Sequence, residues 1–226
     1  KTVVSPGDEG FNEIKSGSGS YLSITTTGES PDPPPDGHGK GGVGRDYRRD
    51  VADPGINWTE EHTIKFTVRI DEDIAGGAFN TALDRYQIYD SSAPVSNIDN
   101  TSAWAIEAFG ASDGGAITSD MVGEWIFTYG DGTGANAGRV DSNIDLVMGG
   151  VYDFTIVVDP ENRTYDATIQ YGETTFTAND LVWKGASATV GGSVTFMSII
   201  DAVNDVRAWS IDDIVVSQGM TDIPGD

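Results

Sequence analysis

The sequence predicts an all-β chain folded as two stacked antiparallel sheets. Three observations carry this expectation. Apolar residues recur with period two, turn residues divide the chain into short runs rich in threonine, valine, isoleucine and aromatics, and no stretch sustains a capped 3.6-residue period. A strand with one wet face alternates because successive side chains point to opposite sides of the sheet.

Tyr21–Thr27 is the first strand candidate, and residues 62–71 give the clearest alternation. There Ile64, Phe66, Val68 and Ile70 share one face, while Thr63, Lys65, Thr67 and Arg69 share the other. Asp84–Tyr89, Ala103–Phe109 and Gly123–Tyr129 follow. Tyr152, Phe154, Ile156 and Val158 alternate next, then Tyr165, Ala167, Ile169 and Tyr171, with Asp159-Pro160-Glu161-Asn162-Arg163 as the hairpin loop between them. Ser193–Ile200 and Val206–Ser217 complete a set of about nine or more strands, which implies a two-sheet sandwich. No repeat or linker divides the chain, so residues 1–226 read as one domain. Residues 29–57 break the pattern with four prolines from Pro31 to Pro35 and then a glycine-rich basic run, and read as a long loop.

Composition narrows the function. With 36 acidic and 13 basic residues the net charge is -23, a field that repels nucleic acid and anionic membranes. No apolar run reaches the roughly 20 residues of a membrane-spanning helix. The absence of cysteine excludes disulfides and thiolate metal sites. The opening Lys1-Thr2-Val3-Val4-Ser5 shows no secretory leader, as expected of a mature chain. These features suit a secreted or cell-surface protein.

The run from Tyr152 to Asp159, its hairpin, Tyr165 to Ile169, and Trp209-Ser210-Ile211-Asp212-Asp213-Ile214-Val215-Val216 resemble the concanavalin A-like, laminin-G-like jelly rolls of bacterial exported proteins, as do Arg69-Ile70-Asp71 and Trp104-Ala105-Ile106. The opening Gly7-Asp8-Glu9-Gly10-Phe11 and the closing Ile211–Ile214 also resemble the ends of galactose-binding-type carbohydrate-binding modules. That likeness implies a jelly-roll β-sandwich and, from the second family, a structural Ca2+ held by Asp8, Glu9, Asp212 and Asp213. Asp212-Asp213 interrupts the alternation of the last strand, which either a metal or a β-bulge explains.

The fold hosts lectins, hydrolases and lyases, so function must come from a site. The Glu-x-Asp-x-(x)-Glu run with which jelly-roll glucanases place two carboxylates on one strand is absent. Arg85, Gln87 and Tyr89 share one strand face and supply residue types that grip sugar hydroxyls or carboxylates. The same run faintly resembles the Gln-Ile-His strand of jelly-roll alginate lyases, which makes Arg85, Gln87, Tyr89 and His38 the catalytic candidates of a lyase reading. Trp104, Trp125 and Trp209 fall on core faces, whereas Trp58 and Trp183 lie near strand borders and are the candidates for stacking on a sugar. Lys40, Arg45, Arg48 and Arg49 crowd four of the 13 basic residues into ten positions and read as an anion clamp from the loop. The expectation is a secreted, non-catalytic polysaccharide-binding module. The alternatives are a lyase for an anionic glycan and a structural surface or filament subunit, with further modules or self-association as possible protein partners.

Overall fold

The computed structural model describes residues 2–6, 21–27, 39–46, 56–71, 84–91, 102–131, 137–185, 193–200 and 206–218. They form thirteen strands: β1 (Thr2–Pro6), β2 (Leu22–Thr27), β3 (Gly39–Asp46), β4 (His62–Ile70), β5 (Arg85–Ser91), β6 (Ala105–Phe109), β7 (Glu124–Gly130), β8 (Ala137–Asp145), β9 (Val151–Asp159), β10 (Thr164–Tyr171), β11 (Thr174–Val182), β12 (Ser193–Ile200) and β13 (Val206–Gln218). Among the described residues no helix is long and apolar enough to cross a membrane.

The strands build two antiparallel sheets. One has seven strands in the order β1-β2-β13-β4-β9-β10-β11, the other six in the order β3-β12-β5-β6-β7-β8. The fold is a β-sandwich, as the strand pattern predicts, and a jelly roll, as the resemblance implies. Its core lies between the sheets, where aromatic side chains from opposite layers interlock. Phe66 meets Phe196 edge-on with ring centroids 5.2 Å apart, Tyr86 meets Trp209 at 4.9 Å, and Trp125 meets Phe154 at 5.1 Å. Such pairs add about 0.5–1.5 kcal/mol beyond the area they bury. Trp104, Trp125 and Trp209 are fully buried, as their strand faces require.

Two polar bonds tie the layers together inside this core: Tyr165 Oη donates to the Thr128 carbonyl at 2.6 Å, and the Thr26 and Ser198 hydroxyls share a bond of 2.6 Å. Close approach also fixes one glycine. A Cβ on Gly130, at the end of β7, would lie 2.1 Å from the Trp183 carbonyl oxygen, so only glycine lets these backbones touch.

The segment 29–57 is not one loop, because β3 runs through it and pairs with β12. The register sets Lys40 opposite Ile199 and Arg45 opposite Val194. His38, Arg48 and Arg49 lie outside the described residues.

Candidate functional site

The face of the six-stranded sheet turned away from the core carries a polar network assembled by register. Gln87 of β5 lies opposite Glu107 of β6, and Glu107 lies opposite Ile126 of β7. One row along, Tyr89, Ala105, Thr128 and Arg139 line up across β5 to β8. A third row aligns Lys40, Ile199, Arg85 and Phe109.

Glu107 is the hub. Its Oε1 accepts from Gln87 Nε2 at 2.7 Å and its Oε2 from Thr128 Oγ1 at 2.5 Å, with Arg139 Nε 3.7 Å from Oε2. Gln87, Glu107 and Thr128 are buried, at 2%, 3% and 0% exposure. A buried carboxylate needs such donors, since an unpaired one costs several kcal/mol. Arg85 and Arg139 flank it and are only partly buried. Burial depresses the Arg85 guanidinium below its ordinary range, and it feels the attraction of Glu107 and the repulsion of Arg139. Its Nε is buried without a hydrogen-bond partner. Two guanidinium groups thus face the Glu107 carboxylate.

The same face holds an acidic group on the next strand. Between Glu124 and Ile126 the register on β8 advances from Asp145 to Asp141, a bulge in which Asn143 adopts φ 54°. The bulge brings Asp141 and Asp145 beside Glu124. Desolvation, then the neighbouring Asp141, Asp145 and Asp120, push the Glu124 carboxyl up to about 7. The segment 110–123 packs across this end of the face, placing Ile117 and Met121 against Phe109 and Ile126. Asp113 shapes it by accepting from the Gly115 and Ile117 amides at 2.8 and 2.9 Å.

The residues singled out from sequence fare unevenly. Arg85, Gln87 and Tyr89 do share one face, but only Arg85 of the three reaches toward solvent. Tyr89 is fully buried with Ala105, Met197 and Ile199, and its hydroxyl donates to Met197 Sδ at 3.8 Å. Trp183 is not an exposed stacking platform: it is 4% exposed, its Nε1 donates to the Thr164 carbonyl at 3.0 Å, and the Arg163 guanidinium lies 5.0 Å from its ring centre. Trp58 is half-buried and packs edge-on against His62 at 4.9 Å. His62 opens β4 and is buried, with its Nδ1 2.9 Å from the Glu60 carbonyl.

Asp212 and Asp213 sit where the β13–β4 register shifts, with Asp213 at φ 52° and its amide donating to Asp212 Oδ1 at 2.9 Å. The acidic pair is thus part of a β-bulge. Asp8 and Glu9 lie outside the described residues, among which no group of three His, Cys, Asp or Glu side chains is close enough to hold a metal ion. Sequence reasoning missed Glu107, Glu124, Thr128 and Arg139. Nothing local marks them, because each joins the site only through strand pairing.

No family model matches the chain, and no curated protein matches it. Solved structures do. The catalytic domain of a glycoside hydrolase family 131 β-glucanase from Podospora anserina superposes with a TM-score of 0.58 at 11% identity, over 92% of this chain and 76% of that one. The corresponding family 131 catalytic domain from Coprinopsis cinerea gives 0.53 at 10% identity, over 89% and 71%. The lectin UEA-II, solved with galactose, gives 0.46 at 10% identity, over 96% and 93%. At such identities the likeness is one of fold, a jelly-roll β-sandwich.

Proposed function

We propose that the domain is a secreted module that binds a polysaccharide carrying carboxylate groups, without cleaving it, along the outer face of the six-stranded sheet. The supporting observation is Arg85, a partly buried guanidinium with an unpartnered Nε beside the Glu107–Arg139 pair. A glycan carboxylate would supply that partner through paired hydrogen bonds, the geometry that suits arginine. Gln87, Thr128 and Glu107 then serve as positioning groups, since their polar atoms are already joined to one another. Cleavage by elimination is disfavoured because Tyr89, the proton-transfer candidate of that reading, is fully buried against Met197.

Calorimetric titration with alginate and laminarin oligosaccharides tests the reading. The expected result is binding of alginate that weakens as salt rises, since exposed charges are screened beyond about 8–10 Å at physiological ionic strength. Arg85→Ala abolishes it and Arg85→Lys restores it only in part. Salt-insensitive binding that ignores Arg85→Ala would reject the assignment, and release of unsaturated uronate would reject the non-catalytic reading.

Hydrolysis is the second reading, and one observation favours it. Glu107 and Glu124 are diagonal neighbours on adjacent strands, a relation that sets residues about 7–8 Å apart, and burial with its acidic neighbours pushes the Glu124 carboxyl up to about 7. Inverting glycosidases hold two carboxyl groups about 6.5–9.5 Å apart. Against it, Glu107 is 3% exposed and committed to its partners. A reducing-sugar assay on laminarin and barley β-glucan, with Glu107→Gln and Glu124→Gln as controls, is expected to show no turnover.

A further inference from the structure

A second concavity lies at the far side of the molecule, at the end of the seven-stranded sheet. It encloses about 440 Å3 and is lined by Met148, Val151, Asp153, Gln170, Tyr171 and the glycine backbone of residues 149, 150 and 172. That volume falls within the range of small-ligand pockets, about 300–1,000 Å3.

Its walls are fixed by the fold. Tyr152 Oη accepts from the Val147 amide at 2.7 Å and donates to the Asp145 carbonyl at 2.8 Å, which locks the turn between β8 and β9. The same turn is pinned to β4, where the Gly149 amide donates to the Ile70 carbonyl at 2.7 Å and the Ile70 amide to the Gly150 carbonyl at 3.1 Å. A Cβ on Gly150 would lie 2.7 Å from both Tyr152 Oη and the Val147 carbonyl oxygen, so this wall stays bare backbone. The Tyr171 ring is braced by Tyr152, stacked at 4.9 Å and 23°. Thr67 Oγ1 orients the Asp153 carboxylate by donating to Oδ1 at 2.6 Å.

The lining combines apolar surface with oriented hydrogen-bonding groups. Met148 is 58% exposed and offers apolar surface at the rim. Val151 and Tyr171 extend this apolar floor, while the carboxylate of Asp153 and the amide of Gln170 stand beside it. Aliphatic and aromatic surface suits the C–H face of a pyranose ring, and a carboxylate with an amide suits its hydroxyls. Asp153 is the sole formally charged side chain in the lining, so the pocket is negative and selects against uronates and sulfated sugars.

We infer that this concavity is a binding site for an uncharged pyranose unit, separate from the outer face of the six-stranded sheet and opposite to it in charge preference. The assignment stands independently of the function proposed above. Saturation-transfer NMR with laminarihexaose, cellohexaose and mannohexaose at millimolar concentration tests it on the whole domain. At least one neutral probe gives transfer signals in the wild type. Asp153→Ala and Gln170→Ala each weaken binding about tenfold or more, the loss expected for one hydrogen bond to a charged group or a well-placed neutral one, while Arg85→Ala leaves it unchanged. Asp153→Asn, which keeps a bond to Thr67 and preserves the fold, retains the neutral probe and newly admits oligoguluronate. The inference is overturned if none of the three probes binds, or if binding survives the Asp153→Ala, Gln170→Ala double variant with its fold intact, or if Arg85→Ala alone abolishes it.

Discussion

Strands β9 and β12 each run through the interior of a sheet, and each sends phenylalanine into the shared core. Along β9 burial alternates at every step, from half-exposed Val151 and Asp153 to buried Tyr152 and Phe154. Along β12 every residue from Ser193 to Ile200 is buried. The core side of both strands is the same core. The contrast lies on their other side, which is half-exposed along β9 and buried along β12. A covered outer face can hold a charged network in low dielectric, where its hydrogen bonds are strong and its orphaned groups costly. That is where Glu107, Arg85 and Arg139 sit.

The contrast makes graded predictions. Core substitutions affect both sheets alike: Phe154→Ala and Phe196→Ala each lower stability by about 3–5 kcal/mol in urea denaturation, the range for a buried aromatic. A much smaller loss at Phe196 would mean that the six-stranded sheet packs loosely.

Glu107→Ala comes next. It strips Gln87 and Thr128 of their acceptor and removes the carboxylate that faces two guanidinium groups, for a loss of about 3 kcal/mol. In a chain of this length that lowers the melting point by roughly 6–12 °C. A loss under about 0.5 kcal/mol, the range of an ordinary surface change, would show that the network is solvated.

The sharpest comparison pairs two threonines of opposite setting. Thr195 is fully buried on the outer face of β12, and Thr155 is half-exposed on the outer face of β9. Thr195→Ala costs about 1–2 kcal/mol and Thr155→Ala stays within about 0.5 kcal/mol. Equal effects would erase the distinction between the two outer faces.

Two buried or crowded groups give opposite pH responses of smaller size. Burial lowers His62 below its ordinary 6.5, so its contribution is complete above pH 6.5 and is lost as pH falls through the folded-state value. Glu124 is raised from 4.5 to about 7, so its contribution is complete below pH 4.5 and is lost as pH rises through about 7. Thermal melting from pH 4 to 8 should therefore show Glu124→Gln gaining on the wild type above neutrality and losing that gain in acid. His62→Gln should flatten the acid-side decline whatever its fixed cost. The reverse order of slopes would contradict both assignments.

Legibility in the sequence followed the same divide. The alternating faces of β4, β9 and β10 could be read directly, because a strand with one wet face must alternate. The inward tryptophans and the shared face of Arg85, Gln87 and Tyr89 followed from the same rule. Four strands escaped: β1, β3, β8 and β11, which are the four edges of the two sheets. An edge strand pairs on one side only, so its composition drifts toward glycine and polar residues, as in Gly39-Lys40-Gly41-Gly42-Val43-Gly44 of β3 and Thr174-Thr175-Phe176-Thr177 of β11. In β8 a bulge at Asn143 further breaks the period.

The sequence by itself determined the all-β class, the positions of the inner strands along the chain and which side chains fill the core, since burial on one face writes a period of two into the chain. Only the tertiary structure decided which outer face is covered and which residues meet there. Glu107 reaches Gln87 across 20 positions and Thr128 across 21. Pairing register alone sets those encounters, and a shift of one residue would turn every partner to the opposite face.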